Sequence, residues 1–293
     1  MPELPEVETI RSYLQPKIQN QQIEKSQLKL PRLLLGSSPL EFKKSIQGQS
    51  IQQVLRRGKY LILELSHSSL VFHLGMTGQL TLLPFTSKPS NQFQKTLTGL
   101  QVSKGGHAPD KHTHFTLFFS SGDQLHFRDV RTFGKLIYLK EGDWHSHPRL
   151  KKLGIEPLEL KPVAFLKKHS PITSQRTIKS LLLDQSFICG VGNIYCDEAL
   201  FEARIQPQKK ASQLTTDEWK TLLKAVIKVI KKGIRNSGTT FSDYRQPDHS
   251  KGSNQEQLRV YGRGGAPCYQ CTKILKKITV AQRGTVFCPH CQK

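Results

Sequence analysis

The carboxyl end of the chain reads CYQCTKILKKITVAQRGTVFCPHCQK, from Cys268 to Lys293. It contains two Cys-x-x-Cys pairs separated by sixteen residues, a spacing that closes a tetrahedral thiolate cage around one Zn²⁺ ion. Residues 276–285 between the pairs alternate in polarity as a β-hairpin does, with the tip at 281–284. Because so small a module buries little apolar surface, bound metal is expected to supply its folding energy. The sequence therefore predicts one structural zinc ion, held by Cys268, Cys271, Cys288 and Cys291.

Two other interpretations of these cysteines stay open. One is a redox-active or disulfide-bonded set, and the other is a metal site in which His290 replaces one thiolate. The remaining cysteines, Cys189 and Cys196, stand apart and are predicted to be core thiols. Six cysteines of which four are bunched favour a metal site in a reducing compartment over the disulfide framework of a secreted protein.

The composition limits the partners of the protein. Its 293 residues suffice for two domains of ordinary size, and 36% hydrophobic residues suffice for real cores. The formal net charge of +22, from 44 Lys and Arg against 22 Asp and Glu, favours a polyanionic partner such as nucleic acid or an anionic membrane surface. No apolar run approaches the roughly 18 residues of a spanning helix, and the acidic, proline-containing start is unlike a signal peptide. We therefore predict a cytoplasmic protein that binds DNA or RNA and no membrane.

The first half of the chain has the pattern of a β-domain with one helix. Apolar residues recur at helical spacing over 5–14, and later Ser-Gly-Asp at 121–123 separates two apolar runs as a turn does. Many short strands joined by turns predict an antiparallel sandwich or barrel. The predicted strands cover 51–55, 60–65, 70–73, 80–83, 115–119 and 125–127. Residues 84–111 are polar and aperiodic, so we predict a long surface loop there.

The second half is predicted to contain several helices. Residues 178–183 and 195–203 have helical spacing, and the clearest helix covers 216–232, with a threonine cap and Gly233 at its end. Prolines and a lysine pair at 141–162 indicate a linker before these helices. Each of four lysine pairs in this half is typical of a solvated face, although together they make the half strongly basic.

A family resemblance is carried by four motifs in a fixed order. They are PELPEVET at 2–9, HLGMTG at 73–78, GVGNIY at 190–195 and YGR at 261–263, the last of which runs into the zinc cysteines. Together with the cysteine spacing, these motifs resemble the formamidopyrimidine-DNA glycosylases, which are DNA repair enzymes. The resemblance spans the whole chain apart from 84–111, which resembles an insertion.

The resemblance implies an α+β fold with two domains. A catalytic antiparallel β-sandwich with a flanking helix occupies 1–145, and a linker follows at 146–160. A helix–two-turns–helix domain at 161–260 precedes a zinc-finger β-hairpin at 261–293. Double-stranded DNA containing an oxidised purine or an abasic site lies in the cleft between the domains. Because that surface uses both domains, we expect a monomer.

The resemblance also places the chemistry at the amino terminus. Removal of Met1 exposes the secondary amine of Pro2, which attacks the sugar C1′, forms an iminium and permits β- and δ-elimination. Glu3 matches the general acid/base that opens the sugar ring, and Lys59 matches a lysine that contacts phosphate near the lesion. Glu6 matches a supporting carboxylate, although the helix dipole explains a glutamate in a first turn equally well. A lysine in a basic turn is, without the family, more often only solvated.

Other positions match DNA contacts of the family. The target base must leave the stack, and Met76, Arg131 and Phe133 match a trio that fills the void, although such Met and Phe residues are more often in a core. The family commonly has a second arginine where this chain has Thr132, so a contact made by that arginine cannot be carried over. The implied phosphate contacts are His73, Asn193 and Arg283.

Residues 237–255 match a loop that closes over the flipped base. Glycine and small hydroxyl side chains allow backbone amides to approach a purine edge. The expected lesion-recognition residues are Thr239, Thr240, Phe241 and Tyr244.

Two alternative functions remain. An endonuclease VIII-like enzyme acts on oxidised pyrimidines, but the complete void-filling trio and the Thr-Thr pair at 239–240 favour the purine branch. A zinc-finger DNA-binding protein without chemistry needs no catalytic amino terminus, and the joint presence of Pro2, Glu3 and Lys59 argues against it. We therefore predict a bifunctional DNA glycosylase and abasic-site lyase that removes 8-oxoguanine and formamidopyrimidines.

Overall fold

The chain folds into two compact units. The computed structural model describes residues 1–85, 93–95, 101–103, 109–141, 143–169, 172–240 and 245–293. The first unit comprises Met1–Lys151 and Ser237–Ser253, and the second comprises Lys152–Asn236 and Asn254–Lys293. The predicted lesion loop thus packs with the first unit, although its sequence lies in the second half.

The first unit is a β-sandwich. Its strands are β1 (Ile23–Leu28), β2 (Leu34–Leu35), β3 (Ile51–Arg57), β4 (Tyr60–Leu65), β5 (Ser69–His73), β6 (Gly78–Leu83), β7 (Phe93–Lys95), β8 (Gln101–Ser103), β9 (Thr113–Phe119), β10 (Gln124–Asp129) and β11 (Lys135–Leu139). One sheet has the order β1-β9-β10-β6, and the other has the order β2-β11-β5-β4-β3. Neighbours in both sheets are antiparallel, except that β2 pairs in parallel with β11. The antiparallel sandwich predicted from the many short strands and turns is confirmed, and the turn at 121–123 joins β9 to β10.

The strands β7 and β8 pair with each other outside these sheets. They are the only parts of 86–108 that the structure describes, so most of the predicted loop lies outside the described residues.

Aromatic side chains fill the space between the sheets. The rings of Phe72 and Phe127 lie 5.9 Å apart at a steep angle, and Phe42 and Phe115 lie 5.8 Å apart. All four rings are buried, and the edge-to-face contact of Phe72 with Phe127 adds stability beyond the area that it buries. The sandwich therefore has a close-packed apolar core that supports the loops at its edges.

Seven α-helices lie in the described residues. They are α1 (Leu4–Ile18), α2 (Pro39–Ile46), α3 (Pro148–Lys151), α4 (Pro162–His169), α5 (Ile178–Leu182), α6 (Asn193–Glu202) and α7 (Thr216–Arg235). Helix α1 packs against β3 through fully buried Val7, Ile10 and Leu14, as its spacing predicted. Within the described residues, no helix has both the length and the apolar character that crossing a membrane requires.

Helix α7 belongs to the second unit and is longer than predicted. Thr215 caps it by accepting a hydrogen bond from the Glu218 amide, and the Glu218 carboxylate accepts one from the Thr215 amide in return. The prediction that Gly233 ends this helix is wrong, because the helix continues to Arg235. Gly233 instead makes room for Tyr195, since a Cβ at this position would lie 2.5 Å from the Tyr195 ring.

A buried histidine makes the stability of the sandwich depend on pH. His126 on β10 is 5% exposed, and its Nδ1 lies 2.9 Å from Thr116 Oγ1. Burial, helped by the nearby charge of Lys29, lowers the pKa of His126 to about 4. An unfolded histidine titrates near pH 6.5, so below that pH the unfolded chain takes up a proton that the folded chain does not. Stability is therefore lost as the pH falls from about 6.5 towards 4.

We expect His126 to lower the free energy of unfolding by about 2 kcal/mol between pH 7 and pH 5. His126→Asn retains a polar atom at the δ position and does not titrate in this range, so it should remove that part of the pH dependence. Urea unfolding of both proteins at the two pH values measures the difference. The exposed His67→Asn serves as the matched control, and identical pH dependence in wild type and His126→Asn would contradict the prediction.

Candidate active site

The predicted nucleophile lies at the start of α1. Pro2 is buried, Glu3 is 3% exposed, and Met1 before them is 49% exposed. Glu3 has an extended backbone and immediately precedes the first turn of the helix. The chain thus passes from an exposed terminal residue directly into a buried helix start, where the dipole favours negative charge.

Glu6 connects this helix start to a segment that is distant in sequence. Its Oε2 accepts a hydrogen bond from the Glu3 amide at 2.8 Å, and its Oε1 accepts one from the Thr239 amide at 2.7 Å. Gly238 packs against the same side chain, since a Cβ there would lie 2.9 Å from Glu6 Cγ. A glutamate that only complements the helix dipole would not need this second partner. Glu6 therefore holds the amino terminus and the predicted lesion loop together.

The described part of the predicted lesion loop is attached to the sandwich. Thr239 is 4% exposed, and Thr240 Oγ1 accepts a hydrogen bond from the Gly252 amide at 3.0 Å. The Leu82 amide on β6 donates to the Pro247 carbonyl at 3.1 Å. The other two predicted recognition residues, Phe241 and Tyr244, lie outside the described residues.

Lys59 lies in the tight turn between β3 and β4 and is 7% exposed, unlike a merely solvated lysine. Arg56 braces this turn, because it donates to the Gly58 carbonyl at 3.2 Å and to Glu8 Oε2 on α1 at 2.8 Å. Burial alone would raise the pKa of Glu8, but hydrogen bonds from Arg11 and Arg56 outweigh burial and lower it. The Glu8–Arg56 ion pair thus positions the Lys59 turn relative to the helix that begins at the predicted nucleophile.

His73 ends β5 next to the Lys59 turn. It lies opposite Tyr60 in the sheet, with ring centroids 4.9 Å apart, and its Nδ1 accepts a hydrogen bond from the Gly75 amide at 3.3 Å. Burial, together with the charges of Lys59 and Arg149, lowers the pKa of His73 to about 4. The imidazole is therefore neutral near pH 7, and its proton lies on Nε2, which is left as a donor.

The three predicted void-filling residues project from two adjacent turns. Met76 is 39% exposed and Phe133 is 53% exposed, and the Arg131 guanidinium lies 4.7 Å from the centroid of the Phe133 ring. These residues are therefore not core residues. Val130, which the sequence pattern did not single out, is 44% exposed beside them. Large apolar side chains clustered at a surface commonly mark a binding site.

Thr132 adopts a strained backbone conformation at this site. Its φ is +54°, which is rare for a β-branched residue. Its Oγ1 accepts a hydrogen bond from the exposed Arg32 guanidinium at 2.7 Å, and Lys135 Nζ lies 3.3 Å from the Arg32 carbonyl. A guanidinium from a short 3-10 helix at Pro31–Leu33 therefore lies beside the position where the family commonly has its second arginine. Arg32 has no local signal in the sequence, since no periodic pattern relates residues one hundred positions apart.

The second unit ends in the predicted hairpin, formed by β12 (Lys276–Val280) and β13 (Arg283–Phe287). The four zinc-motif sulfurs lie within 4.8 Å of one another, with the Cys268–Cys291 pair at 4.0 Å and the Cys271–Cys288 pair at 3.5 Å. Zn–S bonds of about 2.3 Å in a tetrahedron require sulfurs about 3.8 Å apart. Backbone amides also donate to two of these sulfurs, which favours thiolates. The residues therefore fit a single zinc ion.

Helix α6 holds the hairpin. Asn193 Nδ2 donates to the Gly284 carbonyl at 2.9 Å, and Asp197 Oδ2 accepts from the Val286 amide at 3.0 Å. The other oxygen of Asp197 forms a fully buried ion pair with Lys179 at 2.5 Å. The predicted phosphate contact Asn193 thus also has a structural role.

Arg283 follows the tip of the hairpin. The two tip residues, Ala281 and Gln282, both have a positive φ, as the twisted two-residue turn of a hairpin requires. The Arg283 side chain is exposed. The hairpin therefore presents a guanidinium to solvent from a metal-stabilised support.

Three family models match successive parts of this chain. They are the formamidopyrimidine-DNA glycosylase N-terminal domain over residues 1–136, the formamidopyrimidine-DNA glycosylase H2TH domain over 153–245, and a zinc finger found in FPG and IleRS over 265–293. Formamidopyrimidine-DNA glycosylases of Desulfitobacterium hafniense and Carboxydothermus hydrogenoformans are each 39% identical to this chain over the full length of both proteins.

Solved structures agree with these matches. The MutM (Fpg) protein of Thermus thermophilus is 38% identical, with a TM-score of 0.82 over 99% of this chain and 98% of that one. Lactococcus lactis Fpg in complex with DNA containing an abasic site is 34% identical, with a TM-score of 0.84 over 99% of each chain. The chain belongs to the formamidopyrimidine-DNA glycosylase family. It is thus a DNA glycosylase of base excision repair with abasic-site lyase activity, and its zinc finger holds one structural zinc ion.

Proposed function

We propose that this protein excises oxidised purines from duplex DNA through the amine of Pro2 and then cuts the strand by β- and δ-elimination. The observation that carries the proposal is the buried start of α1, where Glu6 binds the amide next to Pro2 and the amide of Thr239. Related Lactococcus lactis structures hold DNA containing Fapy-dG or an abasic site, which supports this substrate class.

The nucleophile is formed by removal of Met1, whose exposure leaves it open to an aminopeptidase. The amine of Pro2 then attacks the sugar C1′, and the bond from C1′ to the damaged base breaks as the new C–N bond forms. An α-amine has a reference pKa of about 8, and the positive end of the α1 dipole disfavours the ammonium form further. A reactive neutral fraction is therefore present near pH 7.

Glu3 directly follows the nucleophile and supplies the proton that opens the sugar ring at O4′. The resulting iminium withdraws electrons, so that C2′ loses a proton and the 3′-phosphate departs. A second elimination then expels the 5′-phosphate. Lys59 contacts a phosphate near the lesion from its braced turn.

The DNA contacts of the first unit belong to the void-filling residues and their neighbours. Met76 and Phe133 enter the space left by the extruded base, and Arg131 donates hydrogen bonds to the orphaned cytosine. His73 binds a phosphate as a neutral donor through Nε2. Arg32 supplies a positive charge beside Thr132.

In the second unit, Asn193 and Arg283 contact phosphates. Such contacts position the duplex without reading its sequence, and they make the affinity depend on salt. Since the relatives are bacterial proteins, we propose that the protein acts in the bacterial cytoplasm. We also propose that it acts as a monomer, because the DNA contacts assigned here come from residues of both units.

Borohydride trapping tests the proposal. The mature protein is mixed with duplexes containing 8-oxoguanine or a formamidopyrimidine opposite cytosine, and with a duplex containing an oxidised pyrimidine. With borohydride, we expect a covalent adduct on the purine lesions that maps to Pro2. Without borohydride, we expect a one-nucleoside gap with a phosphate at each of its two ends. A strong adduct with the pyrimidine lesion alone would move the protein to the endonuclease VIII-like branch. Tight binding without any adduct would exclude the proposed chemistry.

A further inference from the structure

We propose that Thr77 and Asp129 form a clamp that holds Met76, Arg131 and Phe133 as one preformed wedge. The clamp residues touch no DNA themselves and act as positioning residues. This inference rests on the proposed function, because it assigns the clamp a role in extruding the damaged base.

The clamp is centred on a fully buried carboxylate. Asp129 Oδ1 accepts a hydrogen bond from the Thr77 hydroxyl at 2.5 Å, and Oδ2 accepts one from the Gly134 amide at 2.7 Å. The Arg131 amide donates to Thr77 Oγ1 at 3.0 Å and also approaches Asp129 Oδ1 at 3.3 Å. Hydrogen bonds to a charged, buried acceptor are stronger than neutral ones. One carboxylate therefore binds both ends of the loop that carries two wedge residues.

The same clamp connects that loop to the turn that carries Met76. Thr77 directly follows Met76 in the chain. Gly75, on the other side of Met76, has a φ of +63°, and a Cβ there would lie 2.7 Å from the Gly134 amide nitrogen. The two turns thus touch through their backbones on one side and through the Thr77–Asp129 hydrogen bond on the other. The two turns that carry the wedge residues cannot shift independently while both contacts persist.

A preformed wedge favours base extrusion for an entropic reason. Side chains that must order when they enter the duplex lose conformational freedom at that step, and preorganisation removes the loss. The strained φ of Thr132, within the same loop, indicates a conformation that needs such support. An abasic site in single-stranded DNA has no partner strand and no void, so its cleavage requires the amine but not the wedge.

The test compares these two substrates in matched variants. Thr77→Val removes the hydroxyl while keeping the shape, Thr77→Ser keeps the hydroxyl, and Asp129→Asn keeps the size but loses the charge. We expect Thr77→Val to slow 8-oxoguanine excision from duplex DNA by about 10-fold, with Asp129→Asn slower still, because each removes strong hydrogen bonds. The rate of abasic-site cleavage in single-stranded DNA should stay within about 2-fold of wild type in both variants. Thr77→Ser should excise 8-oxoguanine from duplex DNA at about the wild-type rate.

A binding measurement separates the clamp from the chemistry. A duplex with a non-cleavable tetrahydrofuran site and 2-aminopurine opposite it reports wedge insertion as a fluorescence change, whether or not the protein is an enzyme. Reduced fluorescence change in Thr77→Val and Asp129→Asn, but not in Thr77→Ser, supports the clamp. An unchanged signal in both, or a parallel loss on duplex and single-stranded substrates, overturns it. Wild-type insertion without any cleavage would instead refute the proposed function, while the fluorescence of the variants would still decide for or against the clamp.

Discussion

Pro2→Gly is expected to slow strand cleavage at an abasic site by at least about 10²-fold and to reduce the yield of the borohydride-trapped adduct sharply. A proline amine condenses to an iminium that carries a permanent positive charge. A glycine amine gives an imine that must first gain a proton to withdraw electrons. Glycine also lacks the ring that ties the amine nitrogen to the side chain, so the nitrogen and its lone pair lose their defined direction at the start of α1.

The control for this substitution is Pro5→Gly, which makes the same change within the first turn of α1. This substitution makes the first turn of the helix more flexible but does not alter the terminal amine, so the trapped protein–DNA adduct should still form. Quench-flow cleavage and intact-mass mapping of the trapped complex measure both variants. An adduct of undiminished yield in Pro2→Gly, mapped to Lys59, would make the lysine the nucleophile.

Local patterns predicted the parts of this protein whose partners are close in sequence. The cysteine pairs predicted the finger because ligand spacing within a short hairpin is set by the metal. The helical spacing of Val7, Ile10 and Leu14 predicted α1 because its buried face repeats every turn. The residue identities at Pro2 and Glu3 pointed to chemistry only through the family resemblance, since a proline near a terminus is ordinarily structural.

Contacts that join distant segments could not be predicted in this way. The Glu6 carboxylate and the Thr239 amide are separated by 233 positions, and their hydrogen bond leaves no periodic trace in the sequence. The same holds for Arg32 beside Thr132. Gly233 was misassigned for a related reason. A glycine near the end of a helical pattern commonly terminates the helix. Here the glycine lies within the helix, because the Tyr195 ring packs so closely against it that no side chain would fit.

Loss of the zinc ion is expected to weaken binding to duplex DNA more than loss of any single phosphate contact. Structural zinc contributes about 10–16 kcal/mol of binding free energy in zinc-finger peptides, so Cys288→Ser should unfold the hairpin that carries Arg283. Arg283→Ala removes the charged hydrogen bond that we propose between this side chain and a phosphate, worth about 1.5–3 kcal/mol or roughly 10- to 150-fold in affinity. It should also reduce the slope of log affinity against log salt concentration by about 1, the value expected for one phosphate contact.

Fluorescence anisotropy with a tetrahydrofuran-containing duplex at several salt concentrations compares these variants, and colorimetric release measures bound zinc. Cys189→Ser makes the same chemical change at a buried thiol outside the cluster, where it should leave zinc content and the salt slope unchanged. Helix α6 contacts the hairpin through Asn193 and Asp197, but two side-chain contacts replace only a small part of the free energy that the metal supplies. If zinc-free Cys288→Ser bound DNA with the affinity and the salt dependence of the wild type, contacts with α6 alone would be enough to support the hairpin. If the DNA affinity of zinc-free Cys288→Ser depended on salt just as that of Arg283→Ala does, the zinc finger would contact DNA through Arg283 alone.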